Sequence, residues 1–450
     1  MRMSLLRRLF SSAAGAALLF CAAVAWADIE ITPGAADKVL LKGKIVTPDQ
    51  LLEGEVLVEN DTISCVAQVC AAPTGATVIR VSNAFIMPGF IDAHNHVAYN
   101  VLPKWTAPKL YKNRAQWQRD RAYKTAKAPY DRLKTTAKLV CEMVKYGEIK
   151  ALVSGVTTIQ GSPPDQKCFA TLIRNAESES GLNIPRDYIR TFILDIKSAP
   201  SIDWSKTKSF VVHIAEGIDE KSRQEFDTLK SKGLLTGGTA IIHGTAFGDE
   251  EFRDMARAGA KLIWSPQSNL ALYGQTTRID RALSNGVPVS IGVDWNLTGS
   301  DSIFDEVRVA AHVNDETFAH AISDTAWLGM ITTNPASALA LGDYIGRIAP
   351  DMKADIIVVR ARDPEPNRSL LSSRVEDVQI VLVDGKVLYG DAAAVDAVKP
   401  GQCEGILVHG AKKKVCVKDQ SDARDKKGQT LSDIVQKLQN AFPGLAPLVQ

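Results

Sequence analysis

Between Gly89 and about Gly292 the chain alternates short, apolar, β-branched runs with longer segments, and this rhythm restricts the fold more than any other feature. The runs occupy residues 85–92, 155–159, 188–193, 210–213, 240–243, 261–264 and 288–292. The last four are separated by stretches with room for a helix, as at 249–257. Regular strand–helix alternation argues for a parallel sheet, most simply a (β/α)8 TIM-like barrel. Seven strands are marked in this way. The one expected between Ile193 and Phe210 has no clear apolar run, so a distorted (β/α)8 barrel is expected.

The flanks have a different texture. From residue 28 to about 87 the pattern is short strands, at 39–41 and 54–58, punctuated by Gly43, Pro48-Asp49 and Asn60-Asp61. This stretch is too small to bury a core alone. Short strands return at 354–359, 378–383 and 386–389. The two ends are therefore expected to pair into a small β-sandwich domain. The expected organisation is an N-terminal sandwich part at 28–87, a barrel at 88–342, a C-terminal sandwich part at 343–398 and an extension at 399–450. The extension carries Cys403, Cys416, the run Lys412-Lys413-Lys414 and a helical pattern at 431–438, and no chemistry is assigned to it.

Residues 1–27 have the form of a secretory signal peptide. Arg2, Arg7 and Arg8 precede an apolar stretch from about Ala13 to Ala25, and Ala25-Trp26-Ala27 supplies a small-x-small cleavage site. The expectation is an exported protein, periplasmic or secreted, with no stable membrane insertion after cleavage. The remaining cysteines are Cys65, Cys70, Cys141, Cys168, Cys403 and Cys416. An even count in an exported chain permits disulfides. Cys65–Cys70 and Cys403–Cys416 are close in sequence, and Cys141–Cys168 would be the remainder; the alternative is buried free thiols. Apolar content of 45% and charged content of 23% are those of an ordinary globular chain, and a net charge of +2 argues against bulk attraction to nucleic acid.

The chemistry-bearing residues fall at the predicted strand ends, where catalytic groups of such barrels collect. His94 and His96 close the first run; residues two apart on a strand face the same way, so both imidazoles can aim at one ion. His213 is followed three residues later by Glu216, a spacing that suits a metal ligand beside a non-ligating acid in metal-assisted hydrolysis. His243, from the next strand, can be a further ligand or a group that orients water and polarises the substrate. Asp294 ends the last barrel strand and can complete a metal shell; a lone aspartate there would otherwise read as a helix N-cap. His312, His320 and His409 fall in or near predicted helices or in the extension, and no site role is expected for them. An insertion at 100–150, rich in Lys and Arg, carries Trp105, Tyr111, Trp117, Tyr123 and Tyr130. It reads either as a solvated helical pair or as a lid, because it leaves the same strand end as the histidines.

These motifs resemble the amidohydrolase superfamily of metal-dependent hydrolases. The matching pieces are Pro88-Gly89-Phe90-Ile91-Asp92-Ala93-His94-Asn95-His96, the His213/Glu216 segment, His243, Gly292-Val293-Asp294 and the closing stretch 346–355, in which Asp351 stands where glycine is usual. Trp264-Ser265-Pro266-Gln267-Ser268-Asn269, with Gly299-Ser300 and Glu306, is similar to the branch that includes guanine deaminase, cytosine deaminase and triazine hydrolases. The resemblance implies His94, His96, His213 and Asp294 as ligands of one divalent ion, Zn first, with Fe or Mn as alternatives. It implies Glu216 as proton shuttle and His243 as the polarising group, so that Glu216, His243 and Asp294 carry the catalysis. Binuclear members carry a bridging lysine, for which Lys197 is a weak candidate. The expected activity is hydrolysis of a non-peptide carbon–nitrogen bond in a small molecule, favouring deamination of a heterocycle. The alternatives are a cyclic-amide hydrolase of the imidazolonepropionase kind and a non-catalytic exported metal- or ligand-binding protein. A homo-oligomer is left open.

Overall fold

The computed structural model describes residues 29–161, 168, 172–177, 182–193, 195–398, 401–418 and 428–449. The expected signal segment lies outside the described residues. Both chain ends join in one ten-stranded mixed sheet, whose strands are β1 (Ile29–Thr32), β2 (Ala35–Val46), β3 (Leu51–Glu59), β4 (Thr62–Ala67) and β5 (Ala76–Pro88) from the N-terminal side. The barrel strands follow: β6 (Phe90–Asp92), β7 (Val156–Ile159), β8 (Arg174–Asn175), β9 (Ile189–Phe192), β10 (Ser209–Ile214), β11 (Thr239–His243), β12 (Lys261–Trp264) and β13 (Val289–Ile291). The ten-stranded sheet is completed by β14 (Ile356–Arg360), β15 (Val378–Val383), β16 (Lys386–Asp391), β17 (Glu404–Val408) and β18 (Ala411–Val415). Its order is β17-β18-β16-β15-β14-β5-β2-β3-β4, with β1 on β5. Where separate sandwich layers are expected, the strands are hydrogen-bonded along one continuous path.

The apolar runs make strands because their β-branched residues fill both faces of a buried parallel sheet. Every residue of β7, β10, β11 and β13 is buried. The parallel strands form two arcs, β6-β7-β8 and β13-β12-β11-β10-β9. The eighth strand is present, but upstream of the position expected for it. Residues between Ile193 and Phe210 form a loop with a short 3-10 turn at Ile196–Ser198, and the extra strand is the two-residue β8. Its Arg174 is buried and paired with Asp355 at 2.7 Å and with Asp384, so a guanidinium fills the place of an apolar side chain and ties the barrel to the ten-stranded sheet. Among the described residues no pairing joins β8 to β9, and the barrel is open there.

The other seam is stitched. Asn95 and Asp294 form an isolated parallel bridge, with Asp294 N donating to the His94 carbonyl at 2.7 Å and His96 N to the Asp294 carbonyl at 2.6 Å. A Cβ on Gly292 would lie 2.6 Å from the backbone nitrogen of His94, so only glycine lets these strand ends approach. Asp92 clamps the same seam by accepting from Val293 N at 3.0 Å, His94 N at 3.3 Å and Asn95 Nδ2 at 2.7 Å.

Three helices follow β6: α1 (Arg114–Arg119), α2 (Arg121–Thr135) and α3 (Val140–Val153). Past residue 400, β17 and β18 extend the large sheet, and Lys413 of the lysine run is buried, donating to the Glu376 and Val378 carbonyls at 2.9 and 2.7 Å and to Asp391 at 2.6 Å. The helix Leu431–Ala441 packs on α3, and Tyr146 Oη donates to the Ala446 carbonyl at 2.5 Å. The disulfides are Cys65–Cys70, Cys141–Cys168 and Cys403–Cys416. Among the described residues no helix is long and apolar enough to cross a membrane.

Candidate active site

His94 and His96 follow the end of β6, His213 lies near the end of β10, His243 ends β11, and Asp294 lies just past β13. All come to one end of the barrel. His243 and Asp294 have φ of 70° and 69°, and Ala215, beside Glu216, has φ of 56°. Left-handed backbone is costly for such residues and concentrates at functional sites. The seam hydrogen bonds hold Asp294 in that conformation.

His94 Nε2 lies 3.1 Å from His213 Nε2, 3.4 Å from His96 Nε2 and 3.4 Å from Asp294 Oδ1, and His96 Nε2 lies 3.5 Å from the same oxygen. Zinc held tetrahedrally by nitrogen and oxygen at about 2.0–2.1 Å requires ligand–ligand separations of about 3.3–3.4 Å, which these atoms match. Burial drives the His94 and His213 imidazoles well below their ordinary pKa and His96 down to about 4, so each is neutral at pH 7. Three neutral imidazoles crowding their Nε2 atoms around a carboxylate oxygen, in a buried place, fit a cation between them. His94 Nδ1 faces Ser265 Oγ at 2.9 Å, which leaves Nε2 as the ligating atom. Ser268 Oγ donates to Asp294 Oδ2 at 2.5 Å, which leaves Oδ1 for the ion. His94, His243 and Asp294 also form a metal-capable group, so His243 borders the same centre.

His243 has its own orientation. Asn269 Oδ1 accepts from Thr276 Oγ1 at 3.2 Å, so the amide nitrogen faces His243 Nδ1, at 3.0 Å. An amide N–H can only donate, which makes Nδ1 the acceptor and puts the ring proton on Nε2. That Nε2 lies 3.8 Å from Glu216 Oε2. Glu216 is buried, and burial pushes its pKa up to about 7 against the opposing influence of Arg114 and of the hydrogen bond from Tyr273. Tyr273 Oη donates to Glu216 Oε1 at 2.8 Å and accepts the Trp117 indole N–H at 2.8 Å.

The insertion builds the wall of the site. Arg114 N donates to the Glu216 carbonyl at 3.1 Å, Ile218 N donates to the Lys112 carbonyl at 2.7 Å, and the Arg114 guanidinium pairs with Glu225 at 3.2 Å. Helices α1 and α2 are thereby fixed to the loop that carries Glu216. Together they close a cavity of about 420 Å³ lined by Tyr99, Trp117, Tyr123, Tyr130 and Trp295 as well as His96, His213, Glu216, His243 and Asp294.

All six residues expected from the sequence thus converge. Lys197 does not: it is exposed on the 3-10 turn after β9 and lines no part of the cavity. His312, His320 and His409 are exposed. Asp92, Tyr273 and the orienting role of Asn269 were not read from the sequence. Asp92 had a visible signal, being an acid two residues before the His-x-His pair; Tyr273 had none.

The amidohydrolase family pattern matches residues 199–388, the part of the chain that contains His213, Glu216, His243 and Asp294. A 5-methylthioadenosine/S-adenosylhomocysteine deaminase of Caldicellulosiruptor saccharolyticus is 23% identical over 403 residues, which cover 78% of this chain and 93% of that protein. Among solved structures, guanine deaminase from Bradyrhizobium japonicum superposes with a TM-score of 0.63 at 17% identity, covering 79% of this chain and 100% of the other. An atrazine chlorohydrolase from Arthrobacter aurescens, complexed with zinc, gives 0.62 at 18% identity over 78% of this chain and 95% of the other. The resemblance to the amidohydrolase superfamily read from the sequence is borne out, and the architecture is that of TIM-barrel-like α/β proteins.

Proposed function

We propose that this amidohydrolase-like chain is a metal-dependent hydrolase of non-peptide carbon–nitrogen bonds that removes an amino group from a heterocyclic small molecule. One observation carries the reading. Four side-chain atoms spaced to ligate one ion, a buried carboxyl with pKa near 7 and an imidazole whose outward nitrogen is a donor all face a single aromatic cavity. Relatives that act on adenosine derivatives and guanine support the deaminase assignment.

His94, His96, His213 and Asp294 would hold one divalent ion, which we assign as zinc. When bound, such an ion supplies Lewis acidity that lowers the pKa of water toward about 7. The remaining work falls to the protein's own groups. Glu216, ionised, accepts the proton of the attacking water, and the Tyr273 hydrogen bond favours that ionised form. Glu216 then delivers the proton to the departing nitrogen. His243 Nε2–H donates to a ring nitrogen or carbonyl where negative charge builds, and Asn269 keeps it in the donor tautomer. Trp117 and Trp295 exclude water and offer flat faces to a ring.

The export signal and the three disulfides support a periplasmic or secreted location for this activity. The ten-stranded sheet serves as the companion domain that the sequence suggests as a sandwich. The test is an ammonia-release assay of metal-replete protein with aminated heterocycles, alongside cyclic amides and acyl amino acids. Ammonia from the first group alone supports the reading. Carboxylate product from the second group, without ammonia from the first, moves the assignment to amide hydrolysis; no turnover with metal bound points to a binding protein.

A further inference from the structure

The aromatic wall of the cavity contains one polar group that the protein leaves without a task. The Trp117 N–H is taken by Tyr273, and the Trp295 N–H donates to Thr298 Oγ1 at 2.6 Å. Tyr99 and Tyr130 are stacked with centroids 3.9 Å apart, and their hydroxyls interact with each other. The Tyr273 hydroxyl is spent on Glu216. Tyr123 remains. The residue is only 7% exposed and lines the cavity, and no hydrogen bond among the described residues uses its hydroxyl.

The Tyr123 ring is also held still. Trp117 meets it edge-on at 4.8 Å between centroids, Trp105 lies at 5.5 Å and Trp295 at 6.0 Å. Asp131, Glu216 and Asp294 line the same cavity as Tyr123 and act electrostatically on its hydroxyl. Burial and these three carboxyls raise its pKa, so it stays protonated and able to donate. A hydroxyl on a cavity wall with no protein partner keeps its O–H free to donate to an acceptor on whatever fills the cavity.

We propose that Tyr123 is a specificity-determining residue that donates a hydrogen bond to an acceptor on the substrate ring, on an edge other than the one addressed by His243. The substrate class is then a flat aminated heterocycle bearing a second hydrogen-bond acceptor, rather than any flat aromatic amine. This rests on the function proposed above. A site built to pair such an acceptor discriminates strongly against an analogue that lacks it.

The experiment measures kcat/KM of wild type and Tyr123→Phe on adenosine and on a set of deaza analogues, each with one ring nitrogen replaced by C–H. Metal content and Tm are measured alongside, because phenylalanine preserves the packing of the ring. The expected result is a loss of about ten- to hundredfold on adenosine. One analogue should already show that loss in wild type and lose nothing further in Tyr123→Phe, with metal content and Tm unchanged. An equal loss on every analogue, or no loss on any, overturns the assignment. If wild type releases ammonia from none of these compounds, adenosine is not its substrate, whereas the deaminase reading itself falls only if no aminated heterocycle releases ammonia. The same comparison is then made on dissociation constants from quenching of Trp117 and Trp295 fluorescence by adenine and its deaza analogues. There too, absent binding or a uniform effect of Tyr123→Phe overturns it.

Discussion

The Tyr273 hydroxyl donates to Glu216 Oε1 across 2.8 Å while accepting the Trp117 indole N–H, so a residue of the insertion is linked through one phenol to the proposed proton shuttle. The bond favours the ionised carboxylate, whereas burial pushes the pKa up to about 7. Tyr273→Phe removes the opposing influence, and the Glu216 pKa should rise further. The acid limb of the kcat/KM profile should move to higher pH, with activity at pH 7 down about tenfold and partly recovered at higher pH. A profile that falls uniformly without moving would show that Tyr273 only packs.

Glu216→Gln keeps the shape of the side chain and leaves an oxygen for Tyr273, but it cannot take a proton. We expect kcat to fall on the order of 10² to 10⁴ with metal content unchanged. Turnover near that of wild type would remove Glu216 from the proton path.

Asn269 fixes the tautomer of His243 through the 3.0 Å contact at Nδ1. Asn269→Ala frees the ring to place its proton on either nitrogen. The expected cost is about ten- to hundredfold in kcat, with little change in KM and the ion retained. A change confined to KM would mean that Asn269 acts on substrate binding instead.

Glu306 gives a pH dependence of stability. It is fully buried beside the strand ends, accepts from Gln267 N at 3.0 Å and Ser300 N at 3.2 Å, and burial pushes its pKa up to about 8. Between its ordinary value of 4.5 and 8, the folded protein keeps a proton on Glu306 that the unfolded chain has lost. Folding stability should therefore fall as pH rises through this window. Denaturant titrations at pH 6 and pH 8.5 should show wild type losing more stability between the two than Glu306→Gln does. Equal losses would mean that Glu306 is ionised in the folded state.

The legible parts of this protein are those encoded by short spacing. His94 and His96 are two apart on a strand end, Glu216 lies three after His213, and the apolar runs are strands because β-branched residues have few other uses at that length. Less was legible where a residue's role is set by what packs against it from far along the chain. Strand β8 is two residues long and carries a buried arginine, so no apolar run announces it; its place depends on Asp355, 181 residues away. Lys413 reads in the sequence only as part of a lysine run with no assigned chemistry, but as a strand residue it finds acceptors on Glu376, Val378 and Asp391. Trp117 was visible as an aromatic in a candidate lid, while the use of its N–H required Tyr273, 156 residues on.

In the proposed mechanism one ion, held by His94, His96, His213 and Asp294, drives release of ammonia. The decisive measurement is a zinc titration of metal-free protein while ammonia release from an aminated purine is followed. The rate should climb linearly and break at one equivalent per chain. A break at two equivalents, or a rate indifferent to added metal, would contradict it.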